Sequence, residues 1–155
     1  MMQEKSKLYL ENSVISMYFQ DDVPYLRDLT HQFWENKLTH FNVFISDVVF
    51  DEIRATKEFW LRDAMESLIE DFEVIKTTDD IARLAELYLS YRRMSGGDAL
   101  HLASASIGNI DFIVTWNLRH LYKRGTQEII REINTKLMLS VPIIVTPEDF
   151  FGEDV

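Results

Sequence analysis

Short apolar segments, each too brief to form a helix, alternate along this chain with longer amphipathic segments. Strands are predicted over 8–10, 41–46, 72–75, 111–115 and 142–145, where apolar residues cluster in short runs. Helices are predicted over 13–19, 24–38, 47–56, 58–70, 79–93, 98–107 and 126–137. Short apolar strands separated by helices favour an α/β fold of three layers, in which helices cover both faces of a mostly parallel sheet of about four to five strands.

Length and composition set the outer limits. The 155 residues suit a single domain, 1–155, with a core over about 7–151. The chain has no cysteine, which excludes disulfides and thiolate metal sites and fits a reducing cytoplasm. Met1–Lys7 lacks the apolar core of a signal peptide, and no apolar run approaches the roughly 20 residues that span a bilayer. We therefore expect a cytoplasmic protein without a membrane segment.

The charge balance is acidic. Lys plus Arg is 16 and Asp plus Glu is 26, so the net charge is 16 − 26 = −10. This sign argues against a protein that coats nucleic acid through general electrostatic attraction. It leaves room for a nuclease, which needs only a local basic rim around an acidic centre.

Acidic residues follow the first two predicted strands, at the edge where parallel sheets bind their ligands. Glu11 comes directly after the first strand, although an acid there is also typical of a helix N-terminus. Asp51 and Glu52 lie in the helix after the second strand. Glu52 is expected to face the sheet edge and Asp51 the solvent, whereas the alternative is that both are ordinary exposed acids.

Further polar residues follow the later elements. Asp98 comes after the predicted helix break Gly96-Gly97 and is either a helix N-cap or a functional carboxylate. His101 lies one turn on, where it is a metal ligand or, more commonly, a buried residue with its hydrogen bonds satisfied. Asn117 follows the fourth strand and can offer a carbonyl oxygen to a metal, orient a water or simply form a turn.

Four of these residues can meet at one edge of a parallel sheet: Glu11, Glu52, Asp98 and Asn117. Three carboxylates close together repel one another, so such a site is costly without a cation. Oxygen ligands without a thiolate select Mg²⁺ or Mn²⁺ over zinc. The sequence therefore predicts a divalent metal site.

Four segments of the chain resemble PIN domains of the branch related to VapC-type toxins. The resemblance covers about Lys7 to Phe151, and its most specific part is Asp-Ala-Leu-His-Leu-Ala followed by Thr-Trp-Asn and a histidine. The segments are LYLENSVISMYF, ISDVVFDEI, GGDALHLASASIGNIDFIVTWNLRHL and IIVTPEDFF.

This resemblance implies a PIN-like fold and a Mg²⁺- or Mn²⁺-dependent endoribonuclease that leaves 5′-phosphate and 3′-hydroxyl ends. It assigns metal binding and catalysis to Glu11, Glu52, Asp98 and Asn117, and a supporting hydroxyl to Ser13. Glu11 stands where the family usually has Asp, and Asn117 stands where many members have a fourth acid. With three formal negative charges, the site is expected to hold one ion tightly rather than two.

The resemblance and the basic residues together suggest partners. Substrate RNA is expected to contact Asn12 and Ser13 and the basic patch Arg119, His120, Lys123 and Arg124. Trp116 either stacks on a base or, as is more common after a core strand, packs internally. The surplus apolar residues of the second helix, including Phe33 and Trp34, suggest a homodimer, and the family implies a cognate antitoxin.

Two other readings compete with this one. The departures at Glu11 and Asn117 leave open a catalytically weak PIN-like module that binds RNA or protein. A phospho-acceptor receiver domain would need an Asp at the end of its third strand and a Lys after its last. The chain has Lys76-Thr77 and Thr146-Pro147 at those points, so the receiver reading is set aside.

Overall fold

The structure, a computed structural model, describes residues 5–152. Residues 1–4 and 153–155, which include most of the Met1–Lys7 segment and the ends of the predicted domain, lie outside the described part. The five strands are β1 (Lys7–Leu10), β2 (Asn42–Ser46), β3 (Glu73–Ile75), β4 (Phe112–Val114) and β5 (Ile143–Val145).

Seven α-helices connect the strands, and two short 3-10 helices lie at Leu38–His40 and Pro147–Phe150. The α-helices are α1 (Asn12–Met17), α2 (Pro24–Asn36), α3 (Asp47–Arg54), α4 (Phe59–Leu68), α5 (Asp79–Tyr91), α6 (Gly96–Ile107) and α7 (Arg124–Lys136). Every predicted strand and helix is present, and each boundary lies within two residues of its prediction.

The sheet has the order β3-β2-β1-β4-β5, and every neighbouring pair is parallel. The central strand β1 is fully buried at Leu8, Tyr9 and Leu10, as expected for a strand covered on both faces. Right-handed crossovers place α1 to α4 on one face of the sheet and α5 to α7 on the other. The predicted three-layer α/β arrangement is confirmed, and the mostly parallel sheet proves to be wholly parallel.

The strand order reverses at β1. The chain leaves β1 toward β2 on one side and returns to pair β4 on the other side. Such a switch point opens a crevice beyond the carboxyl ends of the two strands, because the following segments diverge to opposite faces. The crevice is therefore expected after Leu10 and Val114.

Two local predictions were wrong. Gly96-Gly97 does not break a helix before Asp98, because α6 already begins at Gly96, where the Ser95 side chain accepts a hydrogen bond of 3.0 Å from the Asp98 backbone N–H. Helical spacing over 79–93 also predicts that Leu89 faces inward on α5, but Leu89 is 39% exposed. The buried stripe of that helix consists of Ile81, Leu84, Ala85 and Tyr88.

The apolar side chains expected to face a second copy are instead packed within the chain. Phe33 is fully buried, and its ring lies 5.1 Å from that of Phe150. Trp34 packs against Tyr18 and Phe72, with ring separations of 5.3 and 6.0 Å. The homodimer prediction therefore loses the observation on which it rested.

In the part of the chain that the structure describes, no helix combines the length and the apolar character needed to cross a bilayer.

Replacing Phe33 with Ala is expected to lower the free energy of unfolding by about 3–5 kcal/mol, because it leaves a cavity between α2 and the C-terminal 3-10 helix. Urea denaturation followed by circular dichroism measures this change. Met138→Ala is the control, since Met138 is 93% exposed and its loss should change stability by less than about 0.5 kcal/mol. Equal effects of the two changes would contradict the packing described here.

Candidate metal centre

Glu11 lies at the carboxyl end of β1, on the crevice at the switch point. Its backbone N–H continues the pairing with β4 through Val114, and its side chain is only 6% exposed. The carboxylate caps α1 by accepting a hydrogen bond of 3.1 Å from the Ser13 backbone N–H. The helix-capping reading of Glu11 is thus correct, and it coexists with a place in the crevice.

Hydroxyl groups from both sides of the crevice hold the Glu11 carboxylate. Thr115, directly after β4, donates a 2.7 Å hydrogen bond to Oε1, and the Ser13 hydroxyl donates to the same oxygen. Ser13 Oγ also accepts from the Trp116 backbone N–H at 2.8 Å. The sequence alone does not single out Thr115, although its position after β4 matches that of Glu11 after the neighbouring β1.

Glu52 is held by a buried chain of hydrogen bonds that crosses the sheet. Its Oε1 lies 2.8 Å from His101 Nε2, and His101 Nδ1 lies 2.6 Å from the Tyr9 hydroxyl. The Tyr9 hydroxyl in turn lies 2.7 Å from Ser46 Oγ. As expected, Glu52 turns toward the sheet edge, whereas Asp51 is exposed.

His101 supports the site. It is fully buried, and both ring nitrogens already have partners. Glu11, Glu52 and His101 each offer a ligand atom, and these atoms lie within 4.8 Å of one another. However, a nitrogen that donates to Glu52 has no free lone pair for a metal, so we assign His101 to holding Glu52.

Asp98 is the third residue of α6, with its side chain 8% exposed at the mouth of the crevice. Ser95 is the N-cap of this helix, so Asp98 does not serve as the cap. The Asn117 side-chain NH₂ donates to Asp98 Oδ1 at 3.3 Å, and Asn117 Oδ1 accepts from the His120 backbone N–H at 3.0 Å. Because a backbone N–H can only donate, the amide oxygen of Asn117 must face His120.

The orientation of Asn117 changes what it offers to a metal. Its carbonyl oxygen is engaged by the loop, and its NH₂ group is directed at a carboxylate. Asn117 therefore fixes the position of Asp98 in this arrangement, rather than presenting the oxygen that was expected from the sequence.

Gly97 makes room for Glu52. A Cβ atom placed on Gly97 would lie 3.0 Å from Glu52 Oε2, whereas one on Gly96 would meet nothing within 4 Å. The absent side chain lets the free oxygen of Glu52 approach the first turn of α6. There it lies near the segment that carries Asp98.

The donor set fits a hard divalent cation. Glu11, Glu52 and Asp98 provide carboxylate oxygens at one edge of the sheet, with no thiolate among them. Among residues 5–152, His101 is the only basic side chain that the structure pairs with one of these acids. Glu11 and Glu52 face one neutral or singly charged imidazole, and the charge of Asp98 acts on the same ring, which leaves negative charge for a cation to balance.

The residues predicted to contact RNA differ in their surroundings. Arg119 and His120 are exposed and lie two and three residues after Asn117. Lys123 and Arg124 line a separate groove of about 410 Å³ beside β5, and Arg124 pairs with Glu128 at 3.1 Å. Asn12 is half-buried, and its side-chain oxygen has no hydrogen-bond partner among the described residues.

Trp116 packs internally. Its indole N–H donates to Thr30 Oγ1 at 2.8 Å, and its ring is half-buried against the core. The packing interpretation of this residue is therefore confirmed.

The charges of the site act on the histidine. Burial, the largest influence, lowers the pKa of His101, but the hydrogen bond to Glu52 and the charges of Glu11, Glu52 and Asp98 together outweigh it. The net pKa is raised from the ordinary 6.5. Burial also raises the pKa of the Tyr9 hydroxyl well above its usual value, so Tyr9 keeps its proton for this chain of hydrogen bonds.

This shift predicts how stability depends on pH. A histidine whose pKa is raised on folding stabilises the protein fully below its unfolded pKa of about 6.5, and that contribution is lost as the pH rises through the folded pKa. We expect the urea midpoint of the protein in EDTA to fall as the pH rises from about 6.5 through the folded pKa of His101. His101→Gln should remove that fall, whereas His120→Gln, at an exposed position, should keep it. An unchanged pH profile in His101→Gln would contradict the assignment.

The sequence matches no family model, and no curated protein sequence matches it either. Solved structures do match. VapBC2 from Rickettsia felis, solved bound to a DNA fragment from its promoter, contains a chain that is 16% identical, with a TM-score of 0.59. The match covers 90% of this chain and 98% of that one.

Two further solved structures are similar in fold. Mycobacterium tuberculosis VapC20, a toxin that cleaves the sarcin-ricin loop, is 16% identical with a TM-score of 0.58, over 68% of this chain and 86% of that one. VapBC-1 from nontypeable Haemophilus influenzae is 13% identical with a TM-score of 0.58, over 81% of this chain and 93% of that one. The chain therefore has the PIN-like fold of the VapC toxins, as its sequence motifs predict.

Proposed function

We propose that this protein is a Mg²⁺- or Mn²⁺-dependent endoribonuclease of the PIN type and the toxin of a VapBC-like pair. The observation that carries the proposal is the approach of Glu11, Glu52 and His101 to within 4.8 Å of one another at the switch point, with Asp98 near enough for its charge to act on His101. The similarity to VapC toxins supports it, since one of them is described as cleaving the sarcin-ricin loop.

In this proposal the three carboxylates hold the metal. When bound, the ion supplies charge neutralisation and lowers the pKa of a coordinated water. Glu11 is fixed by Thr115 and Ser13, and Glu52 is fixed at Oε1 by His101, so each retains lone pairs on an oriented carboxylate. Asn117 steadies Asp98 from the opposite side.

Glu52 or Asp98 orients the attacking water and accepts its proton. The water oxygen then bonds to phosphorus as the bond from phosphorus to the 3′-oxygen of the preceding nucleotide breaks. The products are a 5′-phosphate and a 3′-hydroxyl. Only three formal negative charges surround the site, and the amide of Asn117 is turned to Asp98, so one tightly held ion is favoured over two.

The partners follow from the same proposal. Structural neighbours include toxin–antitoxin complexes, which supports a cognate antitoxin for this chain. RNA is the substrate, with Arg119 and His120 nearest to Asn117 for contacts to phosphate. The protein acts in the cytoplasm, where its RNA targets are found, and a homodimer remains part of the proposal.

Loss of either central carboxylate should abolish cleavage. We expect Glu52→Gln and Asp98→Asn each to reduce cleavage of a labelled RNA with MnCl₂ by about 100-fold or more, because each removes a charged group that orients water or takes a proton. Asp51→Asn is the matched control, since it removes the same charge from the exposed neighbour of Glu52. Its activity should stay at the wild-type level.

The opposite outcome is equally informative. Cleavage that survives Glu52→Gln and Asp98→Asn would refute this assignment of the site. A wild-type protein that binds Mn²⁺ neither by calorimetry nor by electron paramagnetic resonance, and that cuts no RNA, would favour the non-catalytic RNA- or protein-binding module.

Gly97 provides a second test that leaves every carboxylate in place. We expect Gly97→Ala to weaken Mn²⁺ binding about tenfold, because its Cβ would press on Glu52 Oε2 while His101 holds the other oxygen. Gly96→Ala is the control, because its Cβ would meet open space and should leave binding unchanged. Calorimetric titration with MnCl₂ measures both, and equal affinities would place the ion away from Glu52.

A further inference from the structure

Arg92 and Thr126 join two segments of the chain that flank the candidate metal centre. Arg92 directly follows α5, in the segment that leads to Asp98, whereas Thr126 lies in the first turn of α7. Arg92 Nε donates a hydrogen bond of 2.8 Å to Thr126 Oγ1. Because Thr126 is fully buried, this bond is shielded from competition by water.

The Thr126 hydroxyl also holds the loop after β4. It donates a 2.6 Å hydrogen bond to the backbone carbonyl of His120. The backbone N–H of His120 donates to Asn117 Oδ1 at 3.0 Å, and the Asn117 side chain donates to Asp98 at 3.3 Å. Four successive hydrogen bonds therefore connect Arg92 to a carboxylate of the site.

The two segments are thereby tied at both ends. Residues 92–98 contact residues 117–126 through Arg92 at one end and through Asp98 at the other. The bond between Asn117 and Asp98, at 3.3 Å, is longer than the usual length of about 2.9 Å. Fixing the outer end reduces the conformational freedom that must be lost to order this weaker inner end.

Gly125 leaves the space that the Arg92 guanidinium occupies. A Cβ atom placed on Gly125 would lie 2.5 Å from Arg92 Nη1 and 3.0 Å from Arg92 Cζ. Glycine is unfavourable in a helix relative to alanine, yet here its bare backbone lets the guanidinium lie against the first turn of α7.

Charge pairing does not account for the position of Arg92. Among residues 5–152, the structure pairs its guanidinium with the neutral Thr126 hydroxyl and with no carboxylate. The next residue, Arg93, is exposed and has no side-chain hydrogen bond within the described part of the chain. The two arginines therefore carry the same charge with and without the bond to Thr126.

We propose that Arg92 is a positioning residue of the candidate site. It acts through Thr126 and the loop after β4 to hold Asn117 against Asp98. The inference deepens the proposed function and rests on it for the role of Asp98. Groups behind a metal ligand orient that ligand, and their loss weakens metal binding or activity about 10- to 100-fold.

Amide hydrogen exchange, followed by NMR in EDTA, tests this chain of hydrogen bonds without metal or RNA. Arg92→Gln should speed exchange of the His120 N–H about tenfold, because the loop that carries its acceptor opens more often. Arg93→Gln is the matched control, since it removes the same charge from the exposed neighbour and should leave that rate unchanged. Equal exchange rates in the wild type and Arg92→Gln would overturn the proposal.

Metal binding and cleavage provide a second readout. Arg92→Gln should weaken Mn²⁺ binding in calorimetry and lower kcat for a labelled RNA, each about tenfold, and should leave KM close to wild type. A raised KM with an unchanged kcat would instead mean that Arg92 contacts the RNA, which would overturn the positioning role.

Gly125→Ala displaces Arg92 without removing a polar group. Its methyl group would occupy the place of the guanidinium, so it should weaken Mn²⁺ binding as Arg92→Gln does. The urea midpoint should not fall, because alanine favours a helix more than glycine does. Wild-type Mn²⁺ affinity in Gly125→Ala would contradict the proposal.

The Thr126 hydroxyl can be removed and restored. Thr126→Val has a similar shape without the hydroxyl and should weaken Mn²⁺ binding, whereas Thr126→Ser keeps the hydroxyl and should restore most of the affinity. Equal affinities in the two variants would show that only the packing of Thr126 matters and would overturn the role of its hydrogen bonds.

A double mutant shows whether Arg92 acts through Asn117. In protein that already carries Asn117→Ala, Arg92→Gln should weaken Mn²⁺ binding little further, because the link to Asp98 is already lost. Additive effects would refute this route.

The outcomes separate this inference from the proposed function. Faster His120 exchange and weaker Mn²⁺ binding in Arg92→Gln, with no RNA cleavage by the wild type, would uphold the positioning role and refute the ribonuclease. Wild-type exchange and Mn²⁺ affinity in Arg92→Gln, with cleavage abolished by Glu52→Gln, would overturn the positioning role and leave the ribonuclease standing.

Discussion

The close approach of Glu11 and Glu52 beside the buried His101 is the constraint around which this structure is arranged. Like charges in a crevice of low exposure repel, so folding must supply groups that hold them. The Glu11 carboxylate accepts hydrogen bonds from the hydroxyls of Ser13 and Thr115. Glu52 is hydrogen-bonded to His101, and Asp98 accepts a hydrogen bond from Asn117. Ser13 lies only two residues from Glu11, but Thr115 and His101 come from parts of the chain that the fold alone brings near, so the complete site exists only in the folded domain.

The chain of hydrogen bonds behind Glu52 joins the layers of the fold. Tyr9 belongs to the central strand, Ser46 ends β2, and His101 lies in α6 on the opposite face from α3. The rotatable Tyr9 hydroxyl can donate to a neutral imidazole or accept from a protonated one, so the chain accommodates both states of His101. The same buried groups, Tyr9, Ser46 and His101, therefore both stabilise the fold and set the position of Glu52.

The sequence contained most of the fold because its apolar pattern is consistent at every level. Five short apolar runs separated by amphipathic segments predicted a parallel sheet covered by helices. The predicted element boundaries also lie within two residues of the observed ones. The positions of Glu11 directly after β1 and of Glu52 in the helix after β2 were also readable, since parallel strands present their carboxyl ends to one edge. The exposed Leu89 shows what helical spacing cannot predict, because spacing alone does not reveal where the packed face of a helix ends.

The sequence by itself thus determined the layered fold, and it predicted the acidic residues of the candidate site and a divalent cation for them. Only the tertiary structure decided how those residues are held: His101 bonded on both nitrogens, Asn117 turned toward Asp98, and Gly97 left bare beside Glu52. Periodicity reports which face of an element is buried, whereas the direction of a hydrogen bond depends on partners up to 104 residues away in the chain. Those partners meet only when the sheet closes around β1.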